Sequence, residues 1–523
     1  MKQFLIKNKR LLIDIAVLFS VFVFVFISYF IFKPLYFRKD VNIGSTDGVI
    51  PRTFIYICLS AVIITGCVLR IKNKLTIEIL LFLIFLLGVL MQLNYMLITP
   101  VNYRQHDVFS YNNAGHQGYA FSLYSGHLPT QVDKQGHLDY QFYHPPFNAF
   151  MQAMCMHFCE PFMKMYNAMF NSTYYKVGDW DSMYQTVEIL STFYMNIATY
   201  FAIKIAYKLK VDNKYKAAGA FFVALFPYMM ILAGQENNDP LCVMNCFIVI
   251  YFTICWWENH SYFNAIMIGL FAGLAMFAKL SGALIILPAI VAFAFVLIQS
   301  IIKKEKFAYI LIQGAIIGAI MSPLGLWFHI YAKIKFNQPF GFVFSNLNPD
   351  LYVGNYSFYA RFINIFDLND MFSKIWGNTF INYNLPNFLI KSALFGEYSF
   401  LFSDQLAVIS LVLNYVFVYI SLILMIVYFI YSKKEHLEIK IIGGVLIITQ
   451  LFAQLYFNIK MPYGCTMDFR YIVPIILGFM ILSTLAFDKF NKEKGWIKYF
   501  STTVMIVGIC LSISISLFYL TAI

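Results

Sequence analysis

The sequence predicts an all-α polytopic integral membrane protein, and two observations predict it. Of 523 residues, 60% are hydrophobic and 12% charged, whereas a soluble domain carries about 25% charged residues. The apolar residues also fall in runs of about 20, enough to cross a ~30 Å hydrocarbon core. In lipid every backbone polar group needs a partner within the protein, so such runs form helices. No sustained alternation of polar and apolar residues favours strands.

The runs predict thirteen spans, at 11–32, 53–71, 77–99, 186–207, 217–233, 241–257, 264–280, 282–301, 307–331, 403–431, 439–458, 471–487 and 499–520. The first follows Lys2, Lys7, Lys9 and Arg10, as a signal peptide would. It is longer than such a segment and ends in Lys33-Pro34 without a small-residue cleavage site, which predicts an uncleaved span. The break Lys279-Leu-Ser-Gly282 separates the seventh and eighth spans.

The net charge of +12 does not point to nucleic acid. The positives sit in short clusters between apolar runs, the positive-inside pattern. Arg70, Lys72 and Lys74 follow the second span, Lys208 to Lys216 the fourth, Lys303 to Lys306 the eighth, Lys433 to Lys440 the tenth and Lys489 to Lys498 the twelfth. These loops share one side if the N-terminus is cytoplasmic, and the C-terminus then lies outside. Loops 100–185, 234–240, 332–402 and 459–470 are then outer loops. Most cysteines, such as Cys58, Cys67, Cys242, Cys246, Cys255 and Cys510, lie inside apolar runs as small core residues. Cys155 and Cys159 lie outside them and are close enough in sequence to pair.

Polar chemistry gathers in the first outer loop. Five of the 9 histidines fall between His106 and His144, with Asp107, Asp133 and Asp139 among them. Asp107, shortly past the third span, is placed as a fixed general base beside a substrate would be, or is an ordinary solvated loop carboxylate. The histidines do not follow H-E-x-x-H or other zinc spacings. His116, His127 and His137 read as exposed loop or turn residues. His106, next to Asp107, and His144, before Pro145-Pro146, are the better candidates. Phe147 to Phe170 reads as one or two interfacial helices, or as a packed core helix.

Three further features share that face. Gln235-Glu236-Asn-Asn-Asp239-Pro240 brings two carboxylates to it, or caps the following helix. Lys279 interrupts an apolar stretch, where a cation calls for an anionic partner or snorkels to water. Arg470 in Asp468-Phe-Arg-Tyr-Ile-Val-Pro474 presents a planar donor fork to a phosphate, or pairs with Asp468.

Together these residues resemble the C-type (GT-C) membrane glycosyltransferases, nearest to bacterial relatives of dolichyl-phosphate-mannose protein mannosyltransferases and of aminoarabinose lipid A transferases. The elements are Arg104-Gln-His106-Asp107, Gly126-His-Leu-Pro129, Tyr143-His144-Pro-Pro146, Asn238-Asp239-Pro240, Lys279-Leu-Ser-Gly282 and Arg470-Tyr-Ile-Val-Pro474, in that order over roughly 75–487. Two departures stand out: the long outer loop follows the third span rather than the first, and His106 stands where the family often has an acidic residue. The resemblance implies two added N-terminal helices over 1–75, a catalytic module over 76–487, and an inner loop with a last helix over 488–523. It implies a multi-pass protein of the cell membrane with its active site on the outer face. It also implies transfer of a sugar from a polyprenyl-phosphate carrier to an acceptor hydroxyl on a protein, lipid or wall polymer, with inversion. Asp107 would be the general base, Asp239 a second catalytic carboxylate, and Arg104, His106, His144, Glu236, Lys279 and Arg470 substrate-binding. No metal ligands are assigned, and a divalent cation is left open.

Three other readings compete, one of them a receptor or assembly protein with no chemistry. A transporter or flippase of lipid-linked saccharides needs intramembrane charges along a path, and the main candidates, Asp14 and Lys204, make no convincing relay. A polysaccharide polymerase or ligase would use the same face with diphosphate carriers.

Overall fold

Apolar runs and their punctuation decide where the chain turns in this computed structural model, which describes residues 9–36, 49–99, 115–139, 141–342, 351–373, 382–397, 404–433 and 435–521. Among these, helices dominate, and the only bridges are the isolated pairs Val132–Leu138 and Tyr352–Tyr463. Ten helices are long and apolar enough to cross a membrane, or up to 12 if two bent pairs each count as one span. The expected span 264–280 is the 17-residue helix Tyr262–Ala278.

The N-terminal part comprises α1 (Lys9–Tyr36), α2 (Val49–Ile71) and α3 (Ile77–Ile98). The short helix α4 (Gly115–Tyr124), the 24-residue α5 (Phe147–Phe170) and the short α6 (Trp180–Tyr184) follow, and α6 leads into α7 (Val187–Lys208). Next come α8 (Asn213–Ala224) and α9 (Pro227–Ala233). Pro227 has no N–H for the helical ladder, and the two helices meet at a bend of 42°. Helix α10 (Asp239–Asn259) starts with proline in its first turn, α11 (Tyr262–Ala278) starts on a Ser261 cap, and a 3₁₀ turn Leu280–Ile285 leads to α12 (Ile286–Ile302) and α13 (Ala308–Phe336). Beyond it lie α14 (Leu368–Met371), α15 (Leu385–Phe395), α16 (Gln405–Tyr431), α17 (Leu437–Lys460), the 3₁₀ turn Phe469–Ile472, α18 (Ile475–Asn491) and α19 (Trp496–Thr521).

Helices α11 and α13 meet through small residues. A Cβ on Gly269 would lie 3.0 Å from the Ile317 carbonyl oxygen, and one on Gly273 2.9 Å from the Leu324 side chain. Backbones approach this closely in lipid because dispersion, not hydrophobicity, holds such pairs together.

Ion pairs sort the bundle into two ends. At one end Lys208 binds Glu258 at 2.5 Å, Lys489 binds Glu435 at 3.0 Å and Lys492 binds Asp488 at 2.8 Å. At the other end lie Asp239, Lys279, Glu397 and Arg470. Asp14 and Lys204, the two candidates for a transport path, pair with each other, and the Tyr200 hydroxyl also donates to Asp14. They staple α1 to α7 and do not line a path.

Helix α5 is a single helix with Pro161 inside it. Its Phe150, Met154, Phe158, Met165 and Met169 are exposed along one stripe, while Ala149, Met156, Cys159 and Met163 are buried. Cys155 and Cys159 are unbonded neighbours on this helix, with sulfurs 4.0 Å apart.

Substituting Gly273→Leu forces bulk between α11 and α13 and is expected to destabilise the protein by about 1–3 kcal/mol. Thermal unfolding in detergent, with Gly314→Leu as the unhindered control, measures this.

Candidate active site

The site is built on the turn between α9 and α10, Gly234-Gln-Glu-Asn-Asn238. A buried turn has backbone groups that no helix ladder satisfies, so neighbouring side chains must supply partners. The Glu236 carbonyl accepts from Gln152 Nε2 on α5 at 2.5 Å and from the Tyr184 hydroxyl on α6 at 2.8 Å. The Asn237 carbonyl accepts from Asn148 Nδ2 at 3.2 Å, and Asn238 Nδ2 donates to the Ala278 carbonyl at 3.3 Å. Thr192 on α7 donates to the Ala233 carbonyl at 2.9 Å. Gly234 packs so tightly that a Cβ there would lie 2.8 Å from the Tyr95 ring and 2.9 Å from Thr99 Oγ1.

Asp239 opens α10, where the positive end of the helix dipole favours a carboxylate. Its backbone N–H donates to Asn237 Oδ1 at 2.9 Å, and its Oδ1 receives Lys279 Nζ at 2.5 Å. Lys279 itself sits in extended backbone between α11 and the 3₁₀ turn. That sharp reversal depends on Gly282, whose Cβ would lie 2.4 Å from the Ala275 carbonyl oxygen. The Lys279 ammonium also faces the Tyr471 ring, 4.7 Å from its centre.

Tyr471 hands the array on to Arg470, whose Nη2 donates to the Tyr471 hydroxyl at 3.0 Å. Arg470 Nη1 pairs with Glu397 Oε1 at 3.0 Å, just past the end of α15. The guanidinium does not pair with Asp468. That carboxylate instead accepts from the Arg470 backbone N–H at 2.7 Å and from the Tyr228 hydroxyl of α9. Two cations thus stand fixed among three carboxylates and two tyrosines.

Helix α15 is what brings Glu397 here. Ser392 Oγ accepts the Phe469 N–H at 3.0 Å, Asn414 Nδ2 donates to the Ile390 carbonyl at 2.8 Å and the Tyr519 hydroxyl to the Leu394 carbonyl at 2.6 Å. The buried Lys391 donates to the Asp370 carbonyl at 2.7 Å, Ser373 Oγ at 2.8 Å and Asn382 Oδ1 at 3.0 Å. Burial pushes Asp370 up to about 6 and Lys391 down to about 8. Loop 332–402 therefore packs through α15 onto the Arg470 turn.

Glu236 shares the turn with Asp239, but its carboxyl is fully buried toward α1 and α7. Burial, and then the negative charge of Glu188, hold it well above the usual carboxylate range, while Lys33 opposes this and Asp181 adds to it. His144 stands before α5, half-buried. Its carbonyl accepts from the Tyr119 hydroxyl at 3.1 Å, and its ring lies 6.3 Å from that of His116, the planes 11° apart. His116 was expected exposed and is buried in α4, with Gln117 binding Asp181 at 2.8 Å. His127 is exposed, and His137 is held in a turn closed by Asp133.

The structure thus unites Asp239, Lys279 and Arg470, keeps Glu236 within the same turn with its carboxyl buried, and leaves His144 against His116 and Tyr119. Arg104, His106 and Asp107 lie outside the described residues. Among the described residues, no three His, Cys, Asp or Glu side chains converge as metal ligands would. Sequence reasoning missed Tyr471 and Glu397. A lone glutamate in an aromatic loop was the only signal for Glu397, and Tyr471 had none beyond adjacency to Arg470.

Residues 177–327 match the family model of the dolichyl-phosphate-mannose-protein mannosyltransferases. The matched stretch holds Glu188, Glu236, Asp239 and Lys279. Over that stretch the chain is similar to this family of membrane glycosyltransferases. No curated protein matches the chain.

Replacing Lys279→Met leaves Asp239 uncompensated in a pair whose side chains are 13% and 5% exposed, and is expected to cost about 3 kcal/mol. The double variant Lys279→Met/Asp239→Asn should recover most of it in thermal unfolding. For Glu236, the native state keeps a proton that the unfolded chain releases above its ordinary value of 4.5, so this group's contribution weakens as pH rises. Glu236→Gln is expected to flatten the fall in melting temperature above about pH 5 and to gain stability over the parent at pH 8.

Proposed function

We propose that the protein is an inverting glycosyltransferase that moves a sugar from a polyprenyl-phosphate carrier to an acceptor hydroxyl on the outer face of the cell membrane. The observation that carries this reading is the Asp239–Lys279–Tyr471–Arg470 array at one end of the bundle, with its first two members inside the matched stretch. Two fixed cations joined through one phenol suit the phosphate of a lipid carrier whose tail runs down among the helices. Their carboxylate partners hold them in place before substrate arrives, so little reorganisation is needed as charge develops on the leaving phosphate.

The acceptor oxygen attacks the anomeric carbon while the bond from that carbon to the phosphate oxygen breaks. The acceptor proton passes to Asp107 and the electron pair leaves with the polyprenyl phosphate. Asp239 orients Lys279, and through it the phosphate. Arg470 and Lys279 stabilise the departing charge. His144, half-buried at the start of α5, bounds the sugar, and Glu236 keeps the turn beneath it rigid. Arg104 and His106 stand in sequence beside the base and suit binding of the donor. A divalent cation would add charge stabilisation on the phosphate.

The transporter reading is less favoured, because Asp14 and Lys204 satisfy each other. The polymerase or ligase reading differs in its carrier, a diphosphate, and is separated by donor choice.

Membranes holding the full chain are expected to release free carrier phosphate from a polyprenyl-phosphate hexose. Asp107→Asn should lower kcat at least 100-fold, as loss of a general base does, with donor binding within about threefold. Full turnover in that variant removes Asp107 from its role. Absence of turnover by the parent with every donor and acceptor extract removes the enzyme reading.

A further inference from the structure

Helix α1 carries a lysine with no solvent exposure at the same end of the bundle as the site. Lys33 Nζ binds Glu188 Oε2 at 2.5 Å, with both side chains 0% exposed. It also donates to the Met96 carbonyl and, at 2.5 Å, to the Thr99 carbonyl. An ammonium donates up to three hydrogen bonds, and Glu188 and these two carbonyls are among its acceptors. The two carbonyls belong to the last turn of α3, where helical acceptors lack intrahelical partners. A cation there both fills that need and opposes the negative end of the helix dipole. Lys33 is therefore a C-cap for α3 supplied by another helix.

The capped turn bears directly on the site. Thr99 and Tyr95 form the surface against which Gly234 packs without room for a Cβ. Thr99 Oγ1 donates to the Tyr95 carbonyl at 2.6 Å, which keeps that surface in one arrangement. Glu188, the partner of Lys33, lies on α7 one turn before Thr192, which holds the Ala233 carbonyl. The charge of Lys33 also acts on Glu236 within the turn. Asp14 and Lys204 pin the far ends of α1 and α7 together, so the two helices cannot slide and carry Lys33 away from Glu188.

We propose that Lys33 is a positioning residue of the site: by capping α3 and binding Glu188 it holds the floor turn Gly234–Asn238, and through it Asp239 and Lys279, in register. This rests on the glycosyltransferase reading for its effect on turnover, though not for its effect on the turn. It gives α1, which lies outside the matched stretch and reads from sequence as an added helix, a part in the chemistry.

The test uses the full chain in nanodiscs with Lys33→Met, Lys33→Met/Glu188→Met and Lys33→Arg. The single methionine variant strands a buried carboxylate and is expected to be unstable. The double variant replaces a buried pair by apolar residues of similar length, an exchange that stability tolerates. It is expected to keep a melting temperature near the parent's. Its kcat for a polyprenyl-phosphate hexose should fall on the order of 10- to 100-fold, as misplacement by about 1 Å does, with donor KM within threefold. Amide hydrogen exchange in peptides covering 93–99 and 234–238 should accelerate at least tenfold. Lys33→Arg should restore exchange protection in part.

A double variant with parental kcat and parental exchange overturns the proposal, since Lys33 would then only balance Glu188. Accelerated exchange with parental kcat overturns it too, because the turn would loosen without consequence. Where the parent consumes no donor, the glycosyltransferase reading fails by itself, and exchange alone decides whether Lys33 holds the turn.

Discussion

A polar turn buried at one end of an apolar bundle must have its backbone groups satisfied, and much of the site follows from that constraint. The Gly234–Asn238 turn draws Asn148 and Gln152 from α5, Tyr184 from α6 and Thr192 from α7, and it reaches out through Asn238 to the end of α11. The last contact matters most. It holds the reversal at Lys279 next to the first residue of α10, and so brings Lys279 to Asp239 at 2.5 Å. Neither helix end would need the other without the turn between them.

Electrostatics in this bundle are paired across helices. Charges buried in or near lipid are costly unless partnered, and here the partners come from distant parts of the chain. Lys33 meets Glu188, Asp14 meets Lys204, Lys279 meets Asp239 and Arg470 meets Glu397. The first two pairs lock α1 along α7 at both ends. The last two fix a pair of cations around Tyr471, with α15 of the second long loop as their outer support. Rigid cations cost little reorganisation on meeting an anion, which is what the proposed phosphate-binding role asks of this array.

Much of the fold was legible. Long apolar runs and clustered lysines yield helices and their alternation, because lipid leaves the backbone no other way to satisfy itself. Prolines 227 and 474 are where two spans expected to be continuous bend, by 42° and 51°. The break at Lys279 became a sharp turn, and the resemblance drawn from Asn238-Asp239-Pro240 and Lys279-Leu-Ser-Gly282 falls inside the stretch that matches the mannosyltransferase family. Other features were not legible. Nothing local in Asp468-Phe-Arg470 says that the guanidinium passes over its neighbour for Glu397, some seventy residues back. His116 looked like a loop residue and is buried in α4 beside His144, since burial depends on what packs above a segment.

By itself the sequence determined the solvent of this protein, its helices and the end at which its reactive residues gather, since composition and the order of charges are local properties. Tertiary structure decided which of those residues touch. Asp239 and Lys279 come together, while Glu236, three residues before Asp239, turns its carboxyl to the opposite side, toward Lys33 and Glu188. A charge in a low-dielectric bundle takes whichever opposite charge the packing delivers, and packing is a property of the whole chain.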